Sequence, residues 1–413
     1  MKRKRISISL LLFTSLSLLG IYFLGSKGFL NEIDLRMFII PDSMDYRSVG
    51  ECLFTTKDTW AFEIRPFFYP LLLKVFNFKS WDIFFFQLTL WSMSGVLLFW
   101  LSFKFPLKKK LNHKINTNLI FSSFSVILFF SYLTTLLSTL HAMTEVLTVF
   151  SLLVYFTLKI NYPQRKFSVI LIMSFLTVTK PLFIYILIYE LIRISYWLYK
   201  NFKIIRFWYL KIFFSLIPVF IQLILFYKKF GIFSISNIQN KTLRQYLFAR
   251  AIFEDSSNQK MLLSDFNYLN FVTEHFYPLI KSYLFSHPTK MFSAFLNSIL
   301  EGINSFSYPL SFGKVQHSLI QYSNLWLVSF FIIFIIMIFI YLFSKIKNPN
   351  FKKVDFILLE LNFVACYILF SSGISFWQSD RLIMLAIPIM ILSIIYILKQ
   401  IANGIFLKNR STT

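Results

Sequence analysis

In the stretch PDSMDYRSVGECLFTTKDTWAFEIRP, the residues Asp42, Asp45, Glu51, Asp58 and Glu63 fall within 22 positions of one another. The chain of 413 residues has only 18 acidic residues, so this early concentration asks for a chemical reason. If the run after Pro41 is helical, offsets of three and four bring Asp42, Asp45 and Tyr46 onto one face. A carboxylate beside a hydroxyl nucleophile can remove its proton, an effect commonly worth about 10²- to 10⁴-fold. Asp42 is therefore a candidate general base. It is also a candidate N-cap, accepting a backbone N–H, with Asp45 three residues on as a capping-box relative. Both readings can hold at once.

Four later stretches add charge. In EIRPFFYPLLLKVF, Arg65 precedes an apolar, aromatic segment too short to span a membrane. It is either an anchor that snorkels to the headgroups or a phosphate clamp, since a guanidinium fork matches phosphate oxygens in pairs. In STLHAMTEVLTVF, His141 and Glu145 are four apart and would share a helical face at the outer end of a span. An ionisable residue there is a site candidate by default, with structural hydrogen bonding as its rival. Lys180, in TVTKP, is a cation at a chain break and needs a partner, which an anionic substrate would supply. Arg381, in WQSDRLIMLAIP, pairs locally with Asp380 or meets the substrate. Glu190 with Arg193, and Asp355 and Glu360 beside Lys352 and Lys353, are accounted for by local pairing and helix-end effects. No cofactor is implied, and the carboxylate cluster leaves a divalent metal open. Cys52 and Cys366, the only two cysteines, suggest neither a disulfide framework nor a zinc site.

The elements that must position these groups are membrane helices. The chain is 57% hydrophobic with 54 Phe, more apolar surface than a soluble domain can bury. Its net charge of +24 does not point to nucleic acid, because Lys and Arg sit in short clusters between apolar blocks, as orientation signals do. The basic start and the run from Ile6 to Leu24 read as an uncleaved signal anchor. Apolar blocks follow at 81–103, 116–137, 143–158, 167–198, 207–227, 321–343, 354–372 and 382–398. The 167–198 block lies between two basic clusters and is interrupted at Thr179-Lys180-Pro181. Pro181 disfavours helix at Lys180, so the block reads as a broken hairpin of two short segments lining a cavity. The expected fold is all-α and polytopic, with about ten transmembrane segments, both termini cytoplasmic and amphipathic helices at the interface in two outer loops. It divides into residues 1–227, with the first outer loop at 26–80, an extracytoplasmic helical region at 228–320, and a membrane region at 321–413.

The motifs PDSMDY, RPFFYPLLL, TEVLTVFSLLVYF, LTVTKPLF and DRLIMLAIP, in that order, resemble the GT-C superfamily of membrane glycosyltransferases. The similarity is to dolichyl-phosphate-mannose protein mannosyltransferases and to bacterial aminoarabinose and lipopolysaccharide-core sugar transferases. It covers most of the chain, with little to align in 228–320. The resemblance implies a sugar moved from a polyprenyl-phosphate donor to a lipid, glycan or protein acceptor at the outer face of a bilayer. It implies Asp42 as base, Arg65, Lys180 and Arg381 on the donor phosphate, and Glu145 at the outer opening of the fourth span. Asp45, Tyr46 and His141 join Glu145 as expected acceptor- or sugar-binding groups. The pattern departs at Asp42-Ser43, Pro66-Phe67 and Arg381-Leu382, where the family often has Asp-Glu, a double proline and Arg-Tyr. The chain length favours a bacterial inner membrane. The rival classes are an O-antigen or capsule polymerase, which would use the basic residues at 241–250, and a lipid-linked oligosaccharide flippase, which would carry charges through its span interiors.

Overall fold

The computed structural model describes residues 2–55, 59–105, 114–201, 207–238, 286–304, 317–347, 356–374 and 379–408. Asp58, the basic stretch 241–250, residues 352–355 and the side chain of Asp380 lie outside the described residues. Among the described residues the chain is helical, with no strand. Its α-helices are α1 (Lys2–Ser26), α2 (Ile33–Met37), α3 (Pro41–Cys52), α4 (Phe68–Val75), α5 (Ser80–Lys104), α6 (Lys114–Ser131), α7 (Leu133–Leu137) and α8 (Glu145–Asn161). They continue as α9 (Lys166–Thr179), α10 (Ile184–Asn201), α11 (Trp208–Phe230), α12 (Pro288–Asn304), α13 (His317–Lys347), α14 (Phe356–Ile374) and α15 (Ser379–Lys408).

Among these residues, seven helices are long and apolar enough to cross a membrane, or eight if Thr117–Ser131 and Leu133–Leu140 form one broken span. The chain is a multi-pass membrane protein. Length and composition alone do not reach the ten segments expected, because α8 has 17 residues and α9 only 14. The block at 116–137 is not one straight helix either; it bends by 62° at Tyr132. The cause is local: the Tyr322 hydroxyl donates to the Ser131 carbonyl at 3.0 Å, and Trp326 Nε1 donates to the Ser131 hydroxyl at 2.9 Å. Side chains that capture a helix's own polar groups are a standard source of kinks.

α15 is the axis of the bundle. Its Arg381–Ala402 portion is 89% buried and packs against α5, α6, α8, α12, α13 and α14. A helix that is apolar on every side has no solvent face to present and belongs in the interior. α1 is also strongly apolar, though less so, yet only 11% of the residues in its most apolar stretch are buried, and it packs against α5. Polar pins fix the register between helices, as they do where apolar packing alone cannot discriminate. Trp91 Nε1 donates to Thr135 Oγ1 at 3.1 Å, and Lys399 Nζ reaches Asn118 Oδ1 at 2.7 Å and the Ser102 carbonyl at 2.5 Å.

The broken hairpin sits where proline chemistry places it. α9 stops at Thr179, Lys180 is extended (φ −142°, ψ 103°), and Pro181–Phe183 form one 3₁₀ turn before α10. At the far end of α10 a second charged group corrects the local pairing expected for Glu360. Its partner is Lys159, which also reaches Glu190 at 2.5 Å, while Glu190 accepts from the Tyr155 hydroxyl at 2.6 Å and from Arg193. Buried charges therefore do occur inside the helix bundle.

Candidate active site

Helix α3 starts at Pro41, whose fixed φ suits the first helical position. Its N-cap is Ile40, in extended conformation and without a side-chain cap. The N-cap reading of Asp42 is thereby corrected: the residue stands in the first turn, 6% exposed, and its carboxylate is spent elsewhere. One oxygen accepts from Arg65 and the other from Arg381. Pro41 at the first helical position moves the cap to Ile40, so the Asp42 carboxylate is left to two guanidinium groups, each a charge-assisted bond.

Arg65 is buried and also donates to Asp45 Oδ2 at 3.2 Å, with its guanidinium 5.0 Å from the centre of the Tyr46 ring. Asp42, Asp45 and Tyr46 thus meet around one cation, which is pinned rather than snorkelling. Its loop is fixed from two sides. Ser48 and Thr59 share a hydroxyl hydrogen bond of 2.7 Å, and Gln222 of α11 accepts from the Phe67 N–H at 3.0 Å while donating to the Ile235 carbonyl at 2.7 Å. Gly50 lets α3 lie directly on this loop's continuation, since a Cβ there would stand 2.8 Å from the Pro70 carbonyl oxygen.

Arg381, at the start of α15, carries the network onward. While one nitrogen serves Asp42, its Nε and a second terminal nitrogen donate to Glu145 Oε1 at 3.0 and 2.6 Å. Lys180 Nζ reaches the same oxygen at 2.9 Å. The result is an alternating chain, Asp45–Arg65–Asp42–Arg381–Glu145–Lys180, drawn from five separate parts of the sequence. Three cations face three carboxylates. Burial pushes the Asp42 carboxyl up, but Arg65 and then Arg381 outweigh it and hold it well below the usual carboxylate range. Burial likewise opposes the Arg65 charge, and Asp42, Tyr46 and Asp45 together more than restore it. The Tyr46 phenol is raised, chiefly by burial, and stays protonated.

The cations share a cavity. Arg65, Lys180, Arg381 and Tyr46 line a space of about 400 Å³ whose other wall is apolar and aromatic, with Leu182, Tyr185, Phe295, Tyr367 and Phe370. Phe295 comes from α12 and stacks on Phe370 of α14 at 5.7 Å. Gly373 permits this approach, because a Cβ there would lie 2.6 Å from the Phe295 ring. Asp42 and Glu145 stand behind the cations and do not line the cavity.

His141 does not join the group. The chain is extended at His141 and α8 starts only at Glu145, so the two do not share a helical face. The His141 ring meets the Arg36 carbonyl at 2.7 Å through Nδ1, and its backbone carbonyl accepts from Gln87 at 2.9 Å. Those contacts hold the segment before α3 in place. Sequence reasoning passed over Tyr69, inside RPFFYPLLL, whose buried ring packs edge-on to Tyr46 at 5.1 Å. It placed amphipathic helices in the region that supplies Phe295 without naming the residues of the aromatic wall. Among the described residues no three His, Cys, Asp or Glu side chains gather to hold a metal ion. The carboxylates already face guanidinium and ammonium groups, whose charge repels a divalent ion, so the site does not fit the metal that the sequence left open.

Comparison of the chain with family models, with curated proteins and with solved structures yields no match. The resemblance described above therefore rests on its motifs.

Proposed function

We propose that this protein is a membrane glycosyltransferase that moves a sugar from a polyprenyl-phosphate donor to a hydroxyl or amine of a lipid, glycan or protein acceptor. The observation that carries this reading is the shared cavity, with Arg65, Lys180 and Arg381 on one side and an aromatic, apolar wall on the other. Such a space suits a ligand with an anionic head and a hydrocarbon tail. Asp42 takes the acceptor proton. The acceptor then attacks the anomeric carbon and forms the new glycosidic bond, with inversion as the simplest course. The bond between that carbon and the phosphate oxygen breaks, and the phosphate leaves with one more negative charge. Arg65, Lys180 and Arg381 stabilise that growing charge, the kind of preorganised electrostatics that dominates many enzymes. Glu145 holds Lys180 and Arg381 in position. The reaction takes place at the extracytoplasmic face of a bacterial plasma membrane, with both termini in the cytoplasm.

The test compares surface glycolipids and glycoproteins by mass spectrometry in cells with wild-type, deletion or Asp42→Asn alleles. Loss of one defined sugar mass in both mutants, with the Asp42→Asn protein at normal level, is the expected result. An unchanged Asp42→Asn profile would refute the central role of Asp42. The buried Lys159–Glu190–Glu360 group gives a transport reading its one specific support. Flipping of a lipid-linked sugar by purified protein in vesicles, without transfer, would favour that reading.

A further inference from the structure

Asp42 and the cavity draw on the same two guanidinium groups. Arg65 and Arg381 line the cavity, and each donates to one oxygen of Asp42, which lies behind them. Arg381 is already committed three times, once to Asp42 and twice to Glu145 Oε1. A guanidinium has its N–H donors in fixed planar directions. A phosphate that seeks a paired contact from Arg381, whose three nitrogens are all engaged, must therefore displace or loosen a carboxylate already there, whereas Arg65 holds Asp42 and Asp45 through one nitrogen and its buried Nε has no partner among the described residues. Lys180 has rotatable donors and holds Glu145 through its ammonium alone, so it is less constrained. A carboxylate with both oxygens engaged by guanidinia is in turn a poor proton acceptor, whatever its neighbours.

We propose that the anionic head of the donor competes with Asp42 for Arg65 and Arg381, so that donor binding releases Asp42 to act as base. This rests on the donor-phosphate reading of the cavity. It orders the reaction: an acceptor is deprotonated only when the sugar it will attack is in place. The coupling is reciprocal by thermodynamic necessity. If a bound anion frees Asp42, loss of the Asp42 charge must strengthen anion binding through the freed guanidinia.

The experiment measures binding of farnesyl phosphate to the purified full chain in detergent, with farnesol as the uncharged control. Asp42→Asn is expected to tighten farnesyl phosphate binding by on the order of tenfold or more, the worth of a charged hydrogen bond that the freed guanidinium can now give to the anion. Farnesol binding is expected to stay unchanged. In an Arg381→Gln background most of that gain should disappear, because the shared group is gone. Unchanged or weaker binding by Asp42→Asn would overturn the proposal. So would a gain undiminished in the Arg381→Gln background, which would reduce the effect to plain charge repulsion. If Asp42→Asn does not fold, Glu145→Gln removes the other carboxylate on Arg381 and carries the same expected tightening; its absence overturns the sharing. Failure of wild type and variants alike to bind farnesyl phosphate would instead refute the donor site itself.

Discussion

Arg381→Lys keeps the charge at the centre of the network and removes its geometry. Arg381 makes three contacts through three nitrogens, two to Glu145 and one to Asp42. One ammonium, on a shorter and non-planar head, can retain at most one of the two carboxylates at full strength. Two lost contacts, at about 1.5–3 kcal/mol each for bonds to charged groups, amount to about 3–6 kcal/mol before relaxation. Against a typical stability of about 5–15 kcal/mol the protein still folds. Removing an electrostatic stabiliser of this type commonly costs about 10²–10³ in rate. We therefore expect a lowered thermal midpoint in detergent and a fall of at least about 10²-fold in transfer per folded molecule. The readouts are thermal unfolding of the purified protein and the sugar-mass deficit on surface glycans at matched expression. Wild-type transfer by a folded Arg381→Lys protein would refute the reasoning, because charge alone would then suffice. Arg381→Met gives the contrasting limit: two buried carboxylates lose their shared cation, at about 3–5 kcal/mol, and the protein should accumulate poorly.

His141→Ala should lower stability by about 0.5–1.5 kcal/mol, the net worth of the one hydrogen bond lost to the Arg36 carbonyl, which keeps its backbone partners, with transfer per folded molecule near wild type; a more than tenfold loss in a fully folded protein would return His141 to the chemistry. Gly373→Val should drive Phe295 toward the cavity at an overpacking cost of about 1–3 kcal/mol, and a folded variant should bind farnesyl phosphate weakly while keeping the ion network; unchanged binding would show that the aromatic wall does not hold the tail. The pH dependence follows from Asp42, which faces Arg65, Asp45, Tyr46, Arg381 and Lys180. Its folded value lies below its unfolded one, 3.8, so its contribution to stability is complete at neutral pH and is lost as pH falls below that range. In kcat/KM, which reports the free enzyme, no Asp42 limb should therefore appear between pH 5 and 8. In kcat, which reports the donor complex, the limb should move upward as the guanidinia turn to the phosphate. Coincident limbs in the two profiles would contradict the exchange of partners.

The membrane class of the fold was legible in composition, and so was the break at Lys180, because a proline's effect on the preceding residue is local. The axial position of α15 was not. Its apolar run reads like that of α1, and only packing decides which is buried. The site shows the same division. Asp42, Asp45, Arg65, Glu145, Lys180 and Arg381 stood out because charge in an apolar chain is costly and needs a reason. Their mutual partners could not be read, since the six come from five separate parts of the chain. The cap that was the second reading of Asp42 fails because the helix starts one residue earlier, at Pro41, and two guanidinia from elsewhere take the carboxylate. His141 was misjudged because the four-residue rule assumed a helix that has not yet begun. The aromatic wall was legible only as a class: amphipathic helices were expected at the interface in the region that supplies Phe295, but in a chain with 54 Phe nothing marks which aromatic side chains face the site.

The acidity of the early loop follows from what it costs to hold cations ready in a buried place. Taking one ion out of water costs several kcal/mol even after relaxation, and three adjacent cations also repel. Arg65 and Arg381 are buried and Lys180 nearly so, with its side chain 15% exposed. Without counter-charges, such a group would lose protons or open the bundle. Asp42, Asp45 and Glu145 neutralise it, so the cations stay charged and oriented while the cavity awaits its ligand. An arriving phosphate then exchanges one set of anionic partners for another, which is a far smaller change than bringing an anion into a bare cavity. On the proposed function, the same arrangement accounts for a base in this loop: a carboxylate that stands in for the phosphate is left beside the reacting carbon when the phosphate takes its place.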